Sequence, residues 1–154
     1  MALFAGGAMG MAHAAAQLPG PPAVPAPLHG LWVSDDPEGQ AQCDRYRVLA
    51  DPWEHAGSAM VGMLLVRPGY LHEFSEYGEG TFYQLQQLRL RAPGRWQATA
   101  WLGIDQLPEP GDASPVDLRF LLEGKRLTVE TDGRDYRDVK RWRYCTARLP
   151  GDAG

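Results

Sequence analysis

The chain has 154 residues, enough for one domain with a sizeable core. Apolar residues make up 44% and charged residues 22%, ordinary for a globular protein, and a net charge of −4 excludes the basic surplus of a general nucleic-acid binder. No uncharged stretch is rich enough in Leu, Ile, Val and Phe, over the roughly 18 residues required, to make a membrane-spanning helix.

The first 34 residues carry no Asp, Glu, Lys or Arg. Residues 1–16 read as a truncated signal peptide. A weak apolar run from Met1 to Ala12 leads into small residues suited to cleavage after Ala14 or Ala16. The basic leading end is missing, which points to a translation start upstream of Met1. A low-complexity tail is the alternative. Residues 17–28, with Pro19, Pro21, Pro22, Pro25 and Pro27, read as an extended Pro-rich linker. Export to the periplasm or outside the cell would make Cys43 and Cys145 a disulfide. The bridge would close a loop of about 100 residues, for which chain entropy gives at most roughly 4.7 kcal/mol. In a reducing compartment the same two would be buried thiols.

The folded domain is expected over residues 29–148, with 149–154 as a disordered tail. His29 to Ser34 is the first strand. Asp36-Pro37-Glu38 is a helix start, with Asp as N-cap and Pro at the first helical position, and predicts a helix over 37–50. β patterns follow over 60–66, 70–77 and 81–91. Ala92-Pro93-Gly94-Arg95 is a type II turn. Trp96, Ala98, Ala100, Leu102 and Ile104 alternate with Gln97, Thr99, Trp101 and Gly103, as a half-buried strand does. Residues 107–115 form a surface loop. Leu118, Phe120 and Leu122 run into a hairpin at Glu123-Gly124-Lys125, Leu127 and Val129 continue it, and the last strand ends at Cys145. About eight strands with hairpin-short connections predict an all-β fold. An antiparallel up-and-down barrel is favoured over a sandwich, with one short helix near the N-terminus.

Gly30-Leu31-Trp32 on the first strand resembles the G-x-W of lipocalin-like (calycin) barrels. The resemblance implies that Trp32 sits at the closed end and that a basic residue of the last strand, Arg141 or Arg143, packs across it. The helix directly after the first strand departs from that family.

Four histidines and scattered carboxylates supply no recognisable centre. His72-Glu73-Phe74-Ser75-Glu76 lacks the second His that a zincin helix needs, and no metal or cofactor is expected. Glu73, Glu76, Glu79 and Asp105 could pair as acid and base only if the fold spaced them so. Ser58 lacks a nucleophile elbow. The aromatic series is the most informative feature. Tyr70, Phe74, Tyr83, Trp96 and Trp101 would either line a ligand pocket or make the core. The resulting expectation is an exported binding protein that acts by binding rather than catalysis, with a weak hydrolase as the third reading. It would carry a small apolar ligand in a barrel interior, with room left by Ala98, Ala100 and Gly103. The alternative is a protein-docking module with a filled core, an inhibitor or accessory subunit, contacting its partner through residues 107–115 and 77–80.

Overall fold

A computed structural model describes residues 20–151; the signal-peptide reading of residues 1–16 lies outside them. Eight strands follow one another antiparallel and close on themselves. They are β1 (Gly30–Ser34), β2 (Leu64–Arg67), β3 (Tyr70–Phe74), β4 (Gly80–Ala92), β5 (Arg95–Ile104), β6 (Ser114–Glu123), β7 (Arg126–Asp132) and β8 (Arg137–Thr146). The barrel is sealed where β1 meets β8, with Trp32 opposite Tyr144 and Val33 opposite Arg143. The Pro93-Gly94 turn forms as its residues dictate, Gly94 taking φ 71°.

Two apolar cores share the β1–β2–β3–β8 wall. Inside, Trp32, Leu85, Leu118, Phe120, Leu127 and Trp142 pack in one cluster. Outside, Leu31, Val33, Leu65, Phe74 and Cys145 face Cys43 and Tyr46 of helix α1 (Pro37–Val48). β2 is therefore covered on both sides, which is why Leu64, Leu65 and Val66 form an unbroken apolar run. The helix starts as its sequence predicts: Asp36 Oδ1 accepts from the Gly39 N–H at 2.7 Å. Gly39 is required by a close approach, because a Cβ there would lie 2.1 Å from the Ser34 carbonyl oxygen. The Cys43–Cys145 disulfide forms, tying α1 to β8. Arg47 Nη2 donates to the Cys145 carbonyl and the Tyr46 hydroxyl to that of Arg148, beside the bridge. A second short helix, α2 (Glu54–Gly57), has no counterpart in the strand-by-strand reading.

The domain is larger than residues 29–148. Val24 and Leu28, assigned to the linker, are buried in the inner core, and the Val24 N–H bonds to the Pro68 carbonyl. Proline fixes the backbone of this segment but leaves its two aliphatic side chains free to plug the barrel end. Leu149 and Pro150, assigned to the tail, are buried too, and Arg67 Nη2 donates to the Pro150 carbonyl at 2.6 Å.

Candidate functional site: the open end of the barrel

Connections alternate between the two ends of an up-and-down barrel. One end carries the N-terminal plug, three tight hairpins and the segment that follows β8. The other carries the four longer connections, residues 35–63, 75–79, 105–113 and 133–136. The ends differ in kind. At the closed end Trp32 is 1% exposed, its Nε1–H donates to the Leu28 carbonyl at 2.9 Å, and Tyr144 meets its ring edge-on at 5.2 Å. Tyr144 thus takes the position that the lipocalin-like resemblance assigned to Arg141 or Arg143. Those two arginines project from the opposite face of β8, since side chains alternate along a strand and Trp142 and Tyr144 point inward. Arg143 instead pairs with Asp35 at 2.8 Å, and Arg126 joins it at 3.2 Å.

The open end gathers the exposed apolar surface. Nine large hydrophobic side chains are exposed among the described residues, and seven lie here. Tyr77, Ile104, Leu107, Tyr136 and Val139 come from the loops and strand ends, and Trp53 and Val61 from the β1–β2 connection. Tyr77, 74% exposed, is held at φ 61°, a left-handed conformation that a bulky side chain adopts at a cost. His55 and Asp105, the other non-glycine residues with positive φ among those described, sit on the same end. Asp105 also links two loops: its backbone N–H donates to the Gly80 carbonyl at 2.7 Å and its carboxylate accepts from the Gly80 N–H at 3.0 Å. The loops 75–79, 105–113 and 133–136 carry six carboxylates, Glu76, Glu79, Asp105, Glu109, Asp112 and Asp135, against one cation, Arg134.

A cavity of about 640 Å³ opens in the wall of this end, between Glu73, Phe74, Ser75, Gly80 and Thr81 on one side and residues 139–142 of β8 on the other. Glu73 points inward and binds Lys140 Nζ at 2.5 Å, joining β3 to β8 where no strand lies between them. Partial burial works against the Lys140 charge, but the hydrogen bond and attraction to Glu73 outweigh it and raise its pKa. Burial first, then Glu73, also raises the pKa of Tyr83 and of Tyr136, so both phenols stay neutral at physiological pH. Trp142 contributes to the cavity lining, and its indole Nε1–H is buried without a hydrogen-bond partner among the described residues.

The five aromatics proposed as one ligand set do not meet. Tyr83 and Trp96 belong to the inner core, Phe74 to the outer one. Tyr70 pairs with Phe82 on the outer face of β3 and β4, and Trp101 alternates with the inward Ala100 and Leu102. Alternation sorts residues into two faces without saying which is the interior, and a strand covered on both sides hides the difference. Ala98 and Ala100 are 2% and 0% exposed, so they leave no room inside, and Gly103 faces outward against the 106–108 loop. His55 pairs with Glu54 at the surface. His72 is buried on the outer face, stacked on Phe82 at 3.8 Å, with its Nε2–H donating to the Glu79 carbonyl at 2.8 Å.

His72 is expected to make the stability of the fold pH-dependent. Burial lowers its pKa below the ordinary 6.5, outweighing the Glu79 contact. Above pH 6.5 it is neutral whether folded or unfolded. Below 6.5 the unfolded chain takes up a proton that the folded chain resists, so stability falls until the folded pKa is reached. Melting temperature should hold steady from pH 8 to about 6.5 and decline below it, before ordinary carboxylates titrate near pH 4. His72→Gln should flatten that decline; an unchanged slope would remove His72 as its source.

No protein-family model, curated protein or solved structure matches this chain.

Proposed function

We propose that this chain is an exported, non-catalytic binding protein that docks another exported protein on its open end, as an inhibitor or accessory subunit does. The observation that carries the reading is the concentration of exposed aromatic and aliphatic side chains on one rim above a filled interior. Exposed apolar side chains gathered at one end are characteristic of interfaces, whose energetic centres favour Tyr and Trp. Export is supported by the disulfide. The kinship with lipocalin-like barrels rests on Gly30-Leu31-Trp32 and up-and-down closure. Carriage of a small apolar ligand is the second reading. It needs interior volume, and the packed alanines of β5 count against it.

The test begins with affinity capture from the periplasmic or secreted fraction of the source organism, with mass spectrometry for proteins and lipids. The recovered partner is then titrated against variants. Tyr77→Ser with Tyr136→Ser should weaken binding about 100-fold, as loss of two interface anchors does. Leu90→Ser, at a hairpin tip on the opposite end, should leave it unchanged. Equal loss in both variants, or recovery of lipid alone, would count against the reading.

A further inference from the structure

The barrel wall is incomplete at the open end. β1 stops at Ser34, opposite Trp142, while β8 continues back to Arg137 and remains paired there with β7 alone. The last contact on the β1 side is the Asp35 N–H donating to the Arg141 carbonyl at 3.2 Å. In an antiparallel strand the N–H and C=O of one residue point the same way, and alternate residues point to opposite sides. Val139 and Arg137 therefore turn their backbone groups to the side where β1 has ended. The 640 Å³ cavity runs along that edge, lined by residues 139–142. The Glu73–Lys140 ion pair crosses the gap to its far wall with side chains alone. Trp142 contributes to the cavity lining, although its indole Nε1–H is itself buried in the inner core and has no acceptor among the described residues. Arg141, also in the lining, makes no ion pair among the described residues.

We propose that an extended segment of the docked protein adds a strand to β8 along Arg141 to Arg137, filling the notch in the barrel wall. Its main chain pairs with the Val139 N–H and C=O, and it offers acceptors to the Arg141 guanidinium on the exposed side of the notch. Strand addition at a free sheet edge draws affinity from such main-chain bonds, and side chains supply the specificity. The flanks of the segment are basic, to suit the six carboxylates of the neighbouring loops. This inference rests on the docking reading above and names the element that docks.

The probe is a displayed library of random linear peptides selected against the wild-type protein. Selected peptides should be rich in Lys and Arg, free of proline at their centre, and bound more weakly as salt is raised. Hydrogen exchange of the Val139 amide should be fast in the free protein and protected in the complex. Val139→Pro removes that donor while sparing every bond to β7, and proline is accepted on an open edge. It should lower peptide affinity about tenfold or more at an unchanged melting temperature. Val139→Thr should bind as wild type does. The exchange measurement needs no variant, so misfolding of Val139→Pro would not shelter the idea. Acidic binders, an empty selection, or an unprotected Val139 amide would overturn it. So would a Val139-dependent dimer of the free protein, which would give the edge to a second copy. If the captured partner weakens with Tyr77→Ser and Tyr136→Ser but ignores Val139→Pro, docking stands and strand addition falls.

Discussion

Replacing Cys43 and Cys145 together by alanine is expected to destabilise the protein by about 2–5 kcal/mol, the usual range for losing a native bridge. The two residues are 102 apart in sequence, so the bridge restrains a long loop of the unfolded chain. The native state loses something as well. α1 lies on the outer wall of β1 and β8, and Cys43 and Cys145 are 1% and 2% exposed within the outer core. Without the bridge the helix is held by non-covalent contacts such as Tyr46 in that core and Arg47 on the Cys145 carbonyl, while the barrel keeps its full ladder, so the helix is expected to loosen first. Two measurements separate these effects. The denaturation midpoint should fall substantially, and limited proteolysis should cut first within residues 37–48 while the inner core still protects the strands. A midpoint unmoved by the double substitution would mean that packing alone fixes the helix.

The parts of this fold that were legible in the sequence are those set by local chemistry. Asp36-Pro37 announces a helix because the cap and the proline act on the backbone directly. Leu118 and Phe120 announce a strand because one face of β6 is buried and the other solvated. β3 is harder: His72 and Phe74 share a face, but that face is the outside, covered by the outer core and the Glu79 loop. Glu73 then points inward against all expectation for a charge, and only Lys140, 67 residues away, makes the placement tolerable. The linker was misjudged because prolines dominate its composition, while Val24 and Leu28 contribute the packing. For the candidate site, residues 77–80 and 107–115 could be named from sequence as loops. That they share one end follows from the closed topology. The gap beside Val139 follows from register, and no single segment encodes register across eight strands.

Trp32→Ala is the most damaging single change expected in the inner core, at about 3–5 kcal/mol for deleting a buried indole. The ring fills the closed end, and its Nε1–H holds the Leu28 carbonyl, so the N-terminal plug loses its anchor with it. Trp32→Phe keeps an aromatic against Tyr144 and should cost less, with the unmet Leu28 carbonyl as its main penalty. The neighbours decide between two ways of closing a barrel. If a ring closes it, Tyr144→Ala should approach the cost of Trp32→Ala. Arg143→Ala should then stay within about 1 kcal/mol, because that guanidinium sits in a partly exposed ion pair and Asp35 retains Arg126. Arg141→Ala, exposed on the notch, should be nearly silent in stability. Denaturant midpoints at constant slope give all five values on one scale. Should Arg143→Ala prove as costly as Tyr144→Ala, the basic residue, not the tyrosine ring, closes this end, as in the lipocalin-like barrels that Gly30-Leu31-Trp32 resembles.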